Sequence, residues 1–261
     1  MSPFRERYGP WAFVAGASAG IGEAFARRLA REGLHLLLVA RRGDALAALA
    51  AELRASCGVE VRFAAADLGD PGLGERAAAL SEGAEVGLLV YNAAHSAIGP
   101  FVERPLEEQL KVLDVNCRGP LLLSHRFGGE MARRGRGGIL LMASLAGSQG
   151  GPLVASYAAS KAFNLVLAEG LWDELGRCGV DVLACRAGAT RTPGYAASRP
   201  KKAMPLMEAG AVAEEALSAL GRGPTVVAGA MNKLAAFLFA RLLPRRTAIR
   251  IMGSATRRLY G

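Results

Sequence analysis

Short apolar segments alternate with longer alanine-rich segments along most of this chain, and this alternation is what most constrains its fold. The apolar segments are continuously hydrophobic, as expected of parallel strands covered on both faces. They predict strands at residues 11–15, 34–40, 59–64, 86–91, 138–143, 180–185 and 225–227. The segments between them predict helices at 20–32, 44–57, 71–80, 105–131, 154–177 and 211–221. This order predicts an α/β fold with a doubly wound parallel sheet of about seven strands.

The alternation continues to about residue 229 and then stops. No linker rich in proline, glycine or serine divides the preceding residues, so we expect one domain over residues 1–229 and a helical extension over residues 230–261. In the extension, an apolar segment predicts a helix that stops at Pro244. The following segment predicts a second helix with Arg246, Arg250 and Arg257 on one face and Ala248, Ile251, Ala255 and Leu259 on another.

The formal net charge of +9 is concentrated near the end of the chain. No acidic residue follows Glu215, whereas eight basic residues do: Arg222, Lys233, Arg241, Arg245, Arg246, Arg250, Arg257 and Arg258. A basic amphipathic helix can lie on an anionic membrane surface. The alternative is that the extension packs on its own domain or on a neighbouring subunit, with a solvated basic face. Nucleic acid is disfavoured as a partner because no aromatic stacking platform accompanies the charge.

Cysteine usage and hydropathy exclude several classes of protein. The cysteines, at positions 57, 117, 178 and 185, form no Cys-x-x-Cys pair and have no histidine at metal-ligand spacing. We therefore expect neither a metal site nor a disulfide framework. No apolar run approaches the ~18 residues of a membrane-spanning helix, and the first residues do not resemble a cleavable signal. These features predict a cytoplasmic protein, with peripheral contact at a membrane left open by the basic extension.

The glycine-rich segment AGASAGIG, residues 15–22, follows a predicted strand and opens a predicted helix. With 33 glycines in the chain, its three-glycine spacing is expected about 0.5 times by chance, so the context has to decide. At a strand-to-helix turn, glycines let the backbone approach a pyrophosphate, and free N–H groups at the helix N-terminus hold its charge. We therefore expect Gly16, Gly20 and Gly22, with Ser18 and Ile21, to bind a dinucleotide.

Two arginines follow the second predicted strand, where the choice between NAD and NADP is usually made. Ala40 stands where NAD sites carry an acid, and Arg41 and Arg42 come next. A guanidinium suits the 2′-phosphate of NADP, so NADP(H) is favoured over NAD(H). Two alternatives remain: the arginines form only a solvated turn, or Asp44 is the acid, although Asp44 is better placed to cap the next helix.

The segment SLAGSQGGPLVASYAASK contains Ser144, Tyr157 and Lys161. Tyr157 and Lys161 are four residues apart and so share a helix face. In order along the chain, these motifs resemble those of the short-chain dehydrogenase/reductase family over about residues 11–230. The resemblance also rests on AADL with Asp67, YNAA at 91–94, DVNCRG with Asn116 and RAGATRT at 186–192. It implies a Rossmann-like domain that both binds a dinucleotide and catalyses a reaction.

The resemblance implies a hydride transfer between NADP(H) and a carbonyl or alcohol, with Asn116, Ser144, Tyr157 and Lys161 as the catalytic set. Tyr157 is the expected acid and base, and Lys161 and an oxidised nicotinamide together are expected to lower its pKa. Ser144 is expected to hold the carbonyl oxygen, and Asn116 to position a water that relays protons to Lys161. The implied cofactor contacts are Gly16, Ser18, Gly20, Ile21, Gly22, Arg41, Arg42, Asp67, Leu68, Asn92, Ala93, Tyr157, Lys161, Gly188, Thr190 and Thr192.

Substrate contacts are less defined. Ser144 and Tyr157 are expected to contact the substrate. His95 is a further candidate because it follows the fourth predicted strand, where ligands collect in doubly wound sheets. The alternative for His95 is a loop or packing role. Residues 187–210 predict a long loop, with room for a short helix, of the kind that often forms a lid. The apolar extension suggests a hydrophobic ketone or aldehyde. An alternative function is a nucleotide-binding sensor or membrane-associated scaffold that has kept these residues.

Three positions depart from the family pattern. Ala15 replaces a threonine before the glycine loop, Ala94 replaces the glycine of the Asn-Ala-Gly turn, and Ala187 replaces the proline of the nicotinamide segment. None of them is a catalytic group. The resemblance also implies a homodimer or homotetramer built on the helices predicted from residues 105 and 154.

Overall fold

A seven-stranded parallel sheet forms the centre of the computed structural model, which describes residues 2–202 and 204–261. Met1 and Ala203, which belong to the predicted domain and the predicted long loop, lie outside the described residues. The strands are β1 (Trp11–Ala15), β2 (His35–Ala40), β3 (Val61–Ala65), β4 (Val86–Tyr91), β5 (Gly137–Ser144), β6 (Val180–Ala187), β7 (Thr190–Arg191), β8 (Met207–Glu208) and β9 (Thr225–Val227). The sheet order is β3-β2-β1-β4-β5-β6-β9, which confirms the predicted doubly wound fold.

Helices cover both faces of this sheet. They are α1 (Pro3–Tyr8), α2 (Gly20–Arg31), α3 (Gly43–Cys57), α4 (Leu73–Leu80), α5 (Leu106–Leu113), α6 (Gly119–Arg134), α7 (Ala155–Gly176), α8 (Pro193–Ala197), α9 (Ala209–Ala219), α10 (Ala230–Arg241) and α11 (Arg245–Tyr260). One face packs on α2, α3 and α9, and the other on α4, α6 and α7. Within β1, Phe13 faces one layer and Val14 the other, and both are fully buried. Burial on both faces explains the continuous hydrophobicity of the strands.

The sheet order changes direction between β1 and β4. From β1 the chain adds β2 and β3 on one side and then returns to place β4 on the other. In an open parallel sheet, ligands bind at the carboxyl ends of the strands at such a point. The glycine loop after β1 and the Asn92 turn after β4 meet there, because the N–H groups of Asn92 and Ala93 both donate to the Ala15 carbonyl at 3.0 Å.

The predicted helix at residues 105–131 is interrupted. The structure has α5, a π-helical turn at Asp114–Arg118, and then α6. The buried Tyr91 hydroxyl donates to the Val115 carbonyl within this turn at 2.6 Å. Gly119 fits against the same hydroxyl, because a Cβ atom at this position would lie 2.1 Å from it. The turn therefore wraps around a side chain that enters from β4, which a helical sequence pattern does not reveal.

The predicted long loop is more ordered than its sequence indicates. It contains β7, α8 and β8, and β7 pairs with β8 in a small separate sheet. The Thr192 side chain caps α8 by accepting from the Tyr195 N–H at 3.1 Å. The short helix α1, which has no counterpart in the predicted elements, precedes β1.

The last residues form α10 and α11, which are separated at Pro244. No helix in the described part of the chain is long and apolar enough to cross a bilayer. The predicted second helix is confirmed as α11, but its apolar face is buried only in part. Ala248 is buried, but Ala255 and Ile251 are exposed and Thr256 is buried in their place. The buried side is rotated because Gly253 packs on Pro152, where a Cβ atom would come within 2.9 Å of the proline ring.

We expect Gly119→Ala to destabilise the protein by about 1–3 kcal/mol, because the added methyl group has to displace Tyr91 or the π-helical turn. The matched control is Gly129→Ala in the same helix, where nothing lies within 4 Å of the added carbon. Removing a glycine from a helix interior there should stabilise the protein by about 0.5–1 kcal/mol. Urea unfolding measures both free energies of unfolding. An unchanged free energy of unfolding for Gly119→Ala would contradict the close contact between Gly119 and the Tyr91 hydroxyl.

Candidate active site

The glycine loop between β1 and α2 forms a tight cradle. Gly16 has φ +83°, and a Cβ atom there would lie 2.8 Å from the Ala93 backbone. A Cβ atom at Gly22 would lie 2.0 Å from the Gly16 carbonyl oxygen and 2.6 Å from Asn92 Nδ2. Gly20 has φ +59° and contacts the Thr192 side chain. Only glycine allows this backbone conformation and these approaches, and the open N-terminus of α2 fits an anionic pyrophosphate.

Two arginines lie beside this cradle at the end of β2. Arg42 is tied to the loop, since its Nη2 donates to the Ser18 carbonyl at 2.6 Å and its Nε to Ser18 Oγ at 3.4 Å. Arg41 is exposed, and within the described residues no carboxylate lies within 4 Å of it. Asp44 lies in the first turn of α3 and not at its N-cap, which is Arg42, so the expected capping role of Asp44 is wrong. The cradle is therefore lined by cations where the sugar of a dinucleotide would lie.

Asp67 and Leu68 follow β3 on the same edge of the sheet. Asp67 Oδ1 accepts from the Gly69 N–H at 3.0 Å, and its Oδ2 lies 3.4 Å from Lys111 Nζ. The Gly69 hydrogen bond, aided by the charge of Lys111, holds the pKa of Asp67 below its usual range. Leu68 is buried. Asp67 is thus a fixed anionic group that can accept a hydrogen bond from an amino group of a bound ligand.

Ser144, Tyr157 and Lys161 come together at the end of β5 and the start of α7. The Ser144 hydroxyl, which accepts from the Ala146 N–H at 3.2 Å, lies beside the half-buried Tyr157. Burial raises the pKa of the Tyr157 phenol, and its hydrogen bond with Ser144 opposes this shift. The three side chains form a protected group in which the phenol holds its proton at neutral pH.

Lys161 is only 2% exposed and donates from Nζ to the Met142 carbonyl at 2.7 Å. Its Nζ lies 5.7 Å from the centre of the Tyr157 ring. Burial lowers the pKa of Lys161 to about 8. Burial raises the pKa of Tyr157 in the protein alone, and the lowering expected from Lys161 together with an oxidised nicotinamide stays a prediction.

Asn116 lies in the π-helical turn and is fully buried. Its Oδ1 accepts from the His95 N–H, and its Nδ2 donates to the His95 carbonyl and to Ser160 Oγ, each at 2.8 Å. The side chain therefore ties the turn after β4 to α7, one residue before Lys161. Its amide is occupied by protein groups, so any water relay at Asn116 has to use other atoms of the residue.

The His95 ring contacts a carboxylate. Its Nε2 lies 2.9 Å from Glu108 Oε2 on α5. The hydrogen bond from His95 lowers the pKa of Glu108. With its backbone held by Asn116 and its ring by Glu108, His95 fixes the loop at the mouth of the site. The substrate contact predicted for His95 stays a prediction.

The segment after β6 closes the other side of the cradle. Thr192 contacts Gly20, whereas the buried Thr190 donates to the Gly188 carbonyl at 3.1 Å. Gly188 packs on Asn232 of α10, whose Nδ2 would lie 2.6 Å from a Cβ atom at Gly188. Thr192 uses its Oγ1 as an acceptor at the cap of α8, so its hydroxyl proton is available to a ligand.

The three departures from the family pattern fit their places. Ala15 is fully buried, and its carbonyl accepts the two N–H groups that brace the neighbouring turn. Ala94 is exposed, so its methyl group meets no backbone in the protein interior. Ala187 is buried at the end of β6. The geometry of the cradle is thus held by backbone hydrogen bonds and not by the missing threonine hydroxyl.

The C-terminal helix reaches the group around Tyr157. Tyr260 of α11 lies near enough to Tyr157 and Tyr195 to contribute to raising the pKa of both phenols. The Leu259 carbonyl accepts from the Lys201 N–H at 2.8 Å. At the other end of α11, Arg245 donates to the Ser148 carbonyl at 3.1 Å. No local motif signals these contacts, because they join residues far apart in the chain.

Comparison with known proteins places this geometry in context. A family model described as short chain dehydrogenase matches residues 10–203. A 7beta-hydroxysteroid dehydrogenase from Clostridium sardiniense is 34% identical over 233 residues, covering 88% of this chain and 89% of the relative. A solved 7beta-hydroxysteroid dehydrogenase has a TM-score of 0.90 at 30% identity, covering 95% of this chain and 98% of the other. A short-chain dehydrogenase from Sphingobium yanoikuyae in complex with NADPH has a TM-score of 0.78 at 33% identity, covering 89% and 94% of the two chains.

We expect the stability of the protein to depend on Lys161 between neutral and alkaline pH. An unfolded lysine titrates near 10.4 and the folded Lys161 at about 8, so the unfolded state binds more protons in this range. The free energy of unfolding should therefore rise from pH 7 to 9.5 by about 2 kcal/mol more in the wild type than in Lys161→Met. Urea unfolding measures this difference. In Lys202→Met, at an exposed lysine, the free energy of unfolding should change with pH as it does in the wild type. If Lys161→Met showed the same pH dependence as the wild type, the effect assigned to the burial of Lys161 would be refuted.

Proposed function

Because this chain belongs to the short-chain dehydrogenase/reductase family, we propose that it is an NADP(H)-dependent oxidoreductase of a hydrophobic ketone or aldehyde and its alcohol. At the coarser level the chain is an NAD(P)-dependent oxidoreductase that acts on CH–OH and C=O groups. The observation that carries the finer proposal is the meeting of Ser144, Tyr157 and Lys161 with the glycine cradle at one edge of the sheet. We assign these three residues and Asn116 to catalysis.

The proposed chemistry needs a proton at the carbonyl oxygen. A bound nicotinamide supplies or accepts the hydride. In the reducing direction, Tyr157 gives its proton to the oxygen, and its raised pKa keeps the phenol protonated at neutral pH until the substrate arrives. Ser144 donates a hydrogen bond to the same oxygen and holds it in line. Asn116 keeps α7, and with it Tyr157 and Lys161, at a fixed distance from the cradle.

Lys161 has a separate part in this proposal. With a pKa of about 8, Lys161 changes its charge near neutral pH and can pass a proton toward the Tyr157 phenol. Its Nζ also faces the end of β5, where Met142 supplies the carbonyl acceptor. If a sugar hydroxyl of a bound cofactor replaced the Met142 carbonyl as the hydrogen-bond acceptor, the Lys161 ammonium group would lie beside that sugar.

The preference for NADP(H) is supported by charge. Ala40 offers no carboxylate to a ribose diol, and Arg41 is free to reach a 2′-phosphate while Arg42 is bound to Ser18. A carboxylate would bind the neutral diol and repel the phosphate, whereas a guanidinium does the opposite.

A hydrophobic substrate is supported by the walls near the site. A cavity of about 470 Å³ lies along the segment after β7 and is lined by Arg191, Tyr195, Pro200, Lys202, Met204, Pro205 and Leu206. Four of these residues, Pro200, Met204, Pro205 and Leu206, are apolar, and Tyr195 adds an aromatic ring. The similar proteins named above include enzymes of hydroxysteroids, and a very-long-chain 3-oxoacyl-CoA reductase from Ajellomyces capsulatus is 36% identical over 220 residues.

We also propose that the enzyme is a homodimer or homotetramer through the outer face of α5, α6 and α7. Large apolar side chains are exposed on this face, at Leu106, Leu110, Leu113, Leu121, Val166 and Trp172. Such a cluster is typical of a subunit interface. Contact of the basic extension with a membrane is independent of this interface, because it involves other helices.

Tyr157→Phe is expected to lower kcat by about 10²–10⁴-fold, because it removes the hydroxyl group that carries the transferred proton and keeps the ring. NADPH binding, followed by protein fluorescence, should stay within about twofold of the wild type. The assay is NADPH oxidation with a panel of aldehydes, β-ketoesters, 3-oxoacyl thioesters and ketosteroids. Wild-type turnover by the Phe variant would refute the proposed acid, and tight NADPH binding without turnover of any substrate by the wild type would favour a sensor.

Arg41→Ala is expected to raise the KM for NADPH about 10–100-fold, which corresponds to the loss of one charge-assisted hydrogen bond. The KM for NADH should change little, since NADH has no 2′-phosphate. Arg31→Ala, at an exposed arginine on α2, removes the same charge away from the cradle and serves as the control. Steady-state kinetics with both cofactors measures the ratio, and an unchanged preference would show that Arg41 does not bind the phosphate.

A further inference from the structure

Helix α10 has an apolar face that its own domain does not cover. Five large apolar side chains along this helix and at its end are between 39% and 79% exposed: Met231, Leu234, Phe237, Leu238 and Leu242. By contrast, Asn232 and Phe239 are partly buried on the other side. Exposed leucine, phenylalanine and methionine side chains in one group mark an interaction surface.

The five side chains share one side of the helix. Positions 231, 234, 238 and 242 follow each other at three- and four-residue steps, which is the spacing of one helix face. Phe237 lies at the border of this face, and Arg241 lies between Phe237 and Leu234 on the helix surface. The apolar face therefore has a cation on its edge.

The charge around this face has one sign. Arg241 and Arg246 are exposed, and within the described residues no carboxylate lies within 4 Å of either guanidinium. Lys233, on the same helix, is neutralised by Glu215 at 2.9 Å. No acidic residue follows Glu215, so neither α10 nor α11 carries a carboxylate of its own that could offset Arg241 or Arg246.

A second copy of the chain is a poor occupant of this face. A two-fold contact through α10 would bring two identical basic extensions together, and like charges brought into contact repel. The exposed face of α5, α6 and α7 already offers an apolar surface for a subunit, and it does not carry this charge. An anionic lipid surface satisfies both the apolar and the cationic groups, because headgroups attract arginine while the acyl boundary receives leucine and phenylalanine.

We propose that α10 binds the surface of a membrane that contains anionic lipids, with Leu234, Phe237 and Leu238 in the acyl boundary and Arg241 and Arg246 at the phosphate level. The helix lies on the surface and does not span it. Since α10 begins beside Gly188, binding would hold the nicotinamide end of the site near the bilayer. That last consequence rests on the proposed function for a hydrophobic substrate, whereas lipid binding itself does not.

Flotation of the purified full chain with vesicles tests this proposal. The probes are phosphatidylcholine vesicles with and without phosphatidylserine. We expect the wild type to bind only the anionic vesicles, and added salt to release it. Phe237→Asp should lower the partition coefficient about tenfold or more. Arg241→Gln and Arg246→Gln should each lower it about fivefold, the effect of about 1 kcal/mol per cation near an anionic surface.

Matched controls keep folding and chemistry separate from binding. Val102→Asp, at a side chain that is 90% exposed outside the extension, and Arg177→Gln, at an exposed arginine on the rim of α7, should bind as the wild type does. Each variant should keep the wild-type melting temperature and NADPH affinity, which shows that it is folded whether or not a substrate is known.

Several outcomes would overturn the proposal. These are failure of the wild type to float, equal flotation with neutral vesicles, or unchanged flotation of Phe237→Asp. A fourth is a combination of two results: the wild type binds no lipid, and light scattering shows a smaller particle for Phe237→Asp than for the wild type. This combination would assign the apolar face of α10 to a contact with a second copy of the chain. None of these results bears on whether Tyr157 transfers a proton, so the two proposals fail independently.

Discussion

The close approach of two turns at the carboxyl ends of β1 and β4 is the constraint on which the rest of the site depends. Gly22 packs against the Gly16 carbonyl so closely that a Cβ atom would lie 2.0 Å from its oxygen. Asn92 completes the contact by donating from Nδ2 to the same carbonyl at 3.1 Å. Any side chain at position 22 would push α2 away and open the cradle. The position of the proposed pyrophosphate site is therefore decided by backbone packing before any side chain meets a ligand.

A buried polar network connects this cradle to the proposed catalytic group. Asn116 makes three hydrogen bonds, two to the His95 backbone and one to Ser160, and the last joins the turn after β4 to the helix of Tyr157 and Lys161. Unpaired polar groups at this depth would cost stability, so the network fixes one geometry. The π-helical turn is what directs the Asn116 amide into the interior. Regular α-helix over the same residues would turn that amide away from Ser160.

The sequence was sufficient for the sheet, because buried parallel strands appear as continuous apolar segments, and for the residues in recognisable motifs, such as Tyr157. It was not sufficient where partners are distant. The π-helical turn depends on Tyr91, 24 residues from the carbonyl that it binds. Glu108 becomes a partner of His95 only once α5 is packed. Likewise, Gly253 of α11 packs on Pro152 of another loop, so helical periodicity, which gives the faces of α11, does not show that Ile251 and Ala255 are exposed while Thr256 is buried.

The part of the site that the sequence motifs do not describe is assembled from segments that lie far apart in the chain. The cradle and the group around Tyr157 are made of residues in recognisable motifs, close to the turns that follow β1, β4 and β5. Ser148, Lys201 and Tyr260 belong to three separate segments that meet at α11, and Tyr260 lies close enough to Tyr157 to contribute to raising its pKa. Because α11 bonds to Ser148 at one end and to Lys201 at the other, a shift of the extension has to move the segments that hold these two residues. Under the proposed function, the docking of the extension would then influence which carbonyl substrate is accepted, and α10, which leads into α11, is the element through which an outside surface would act.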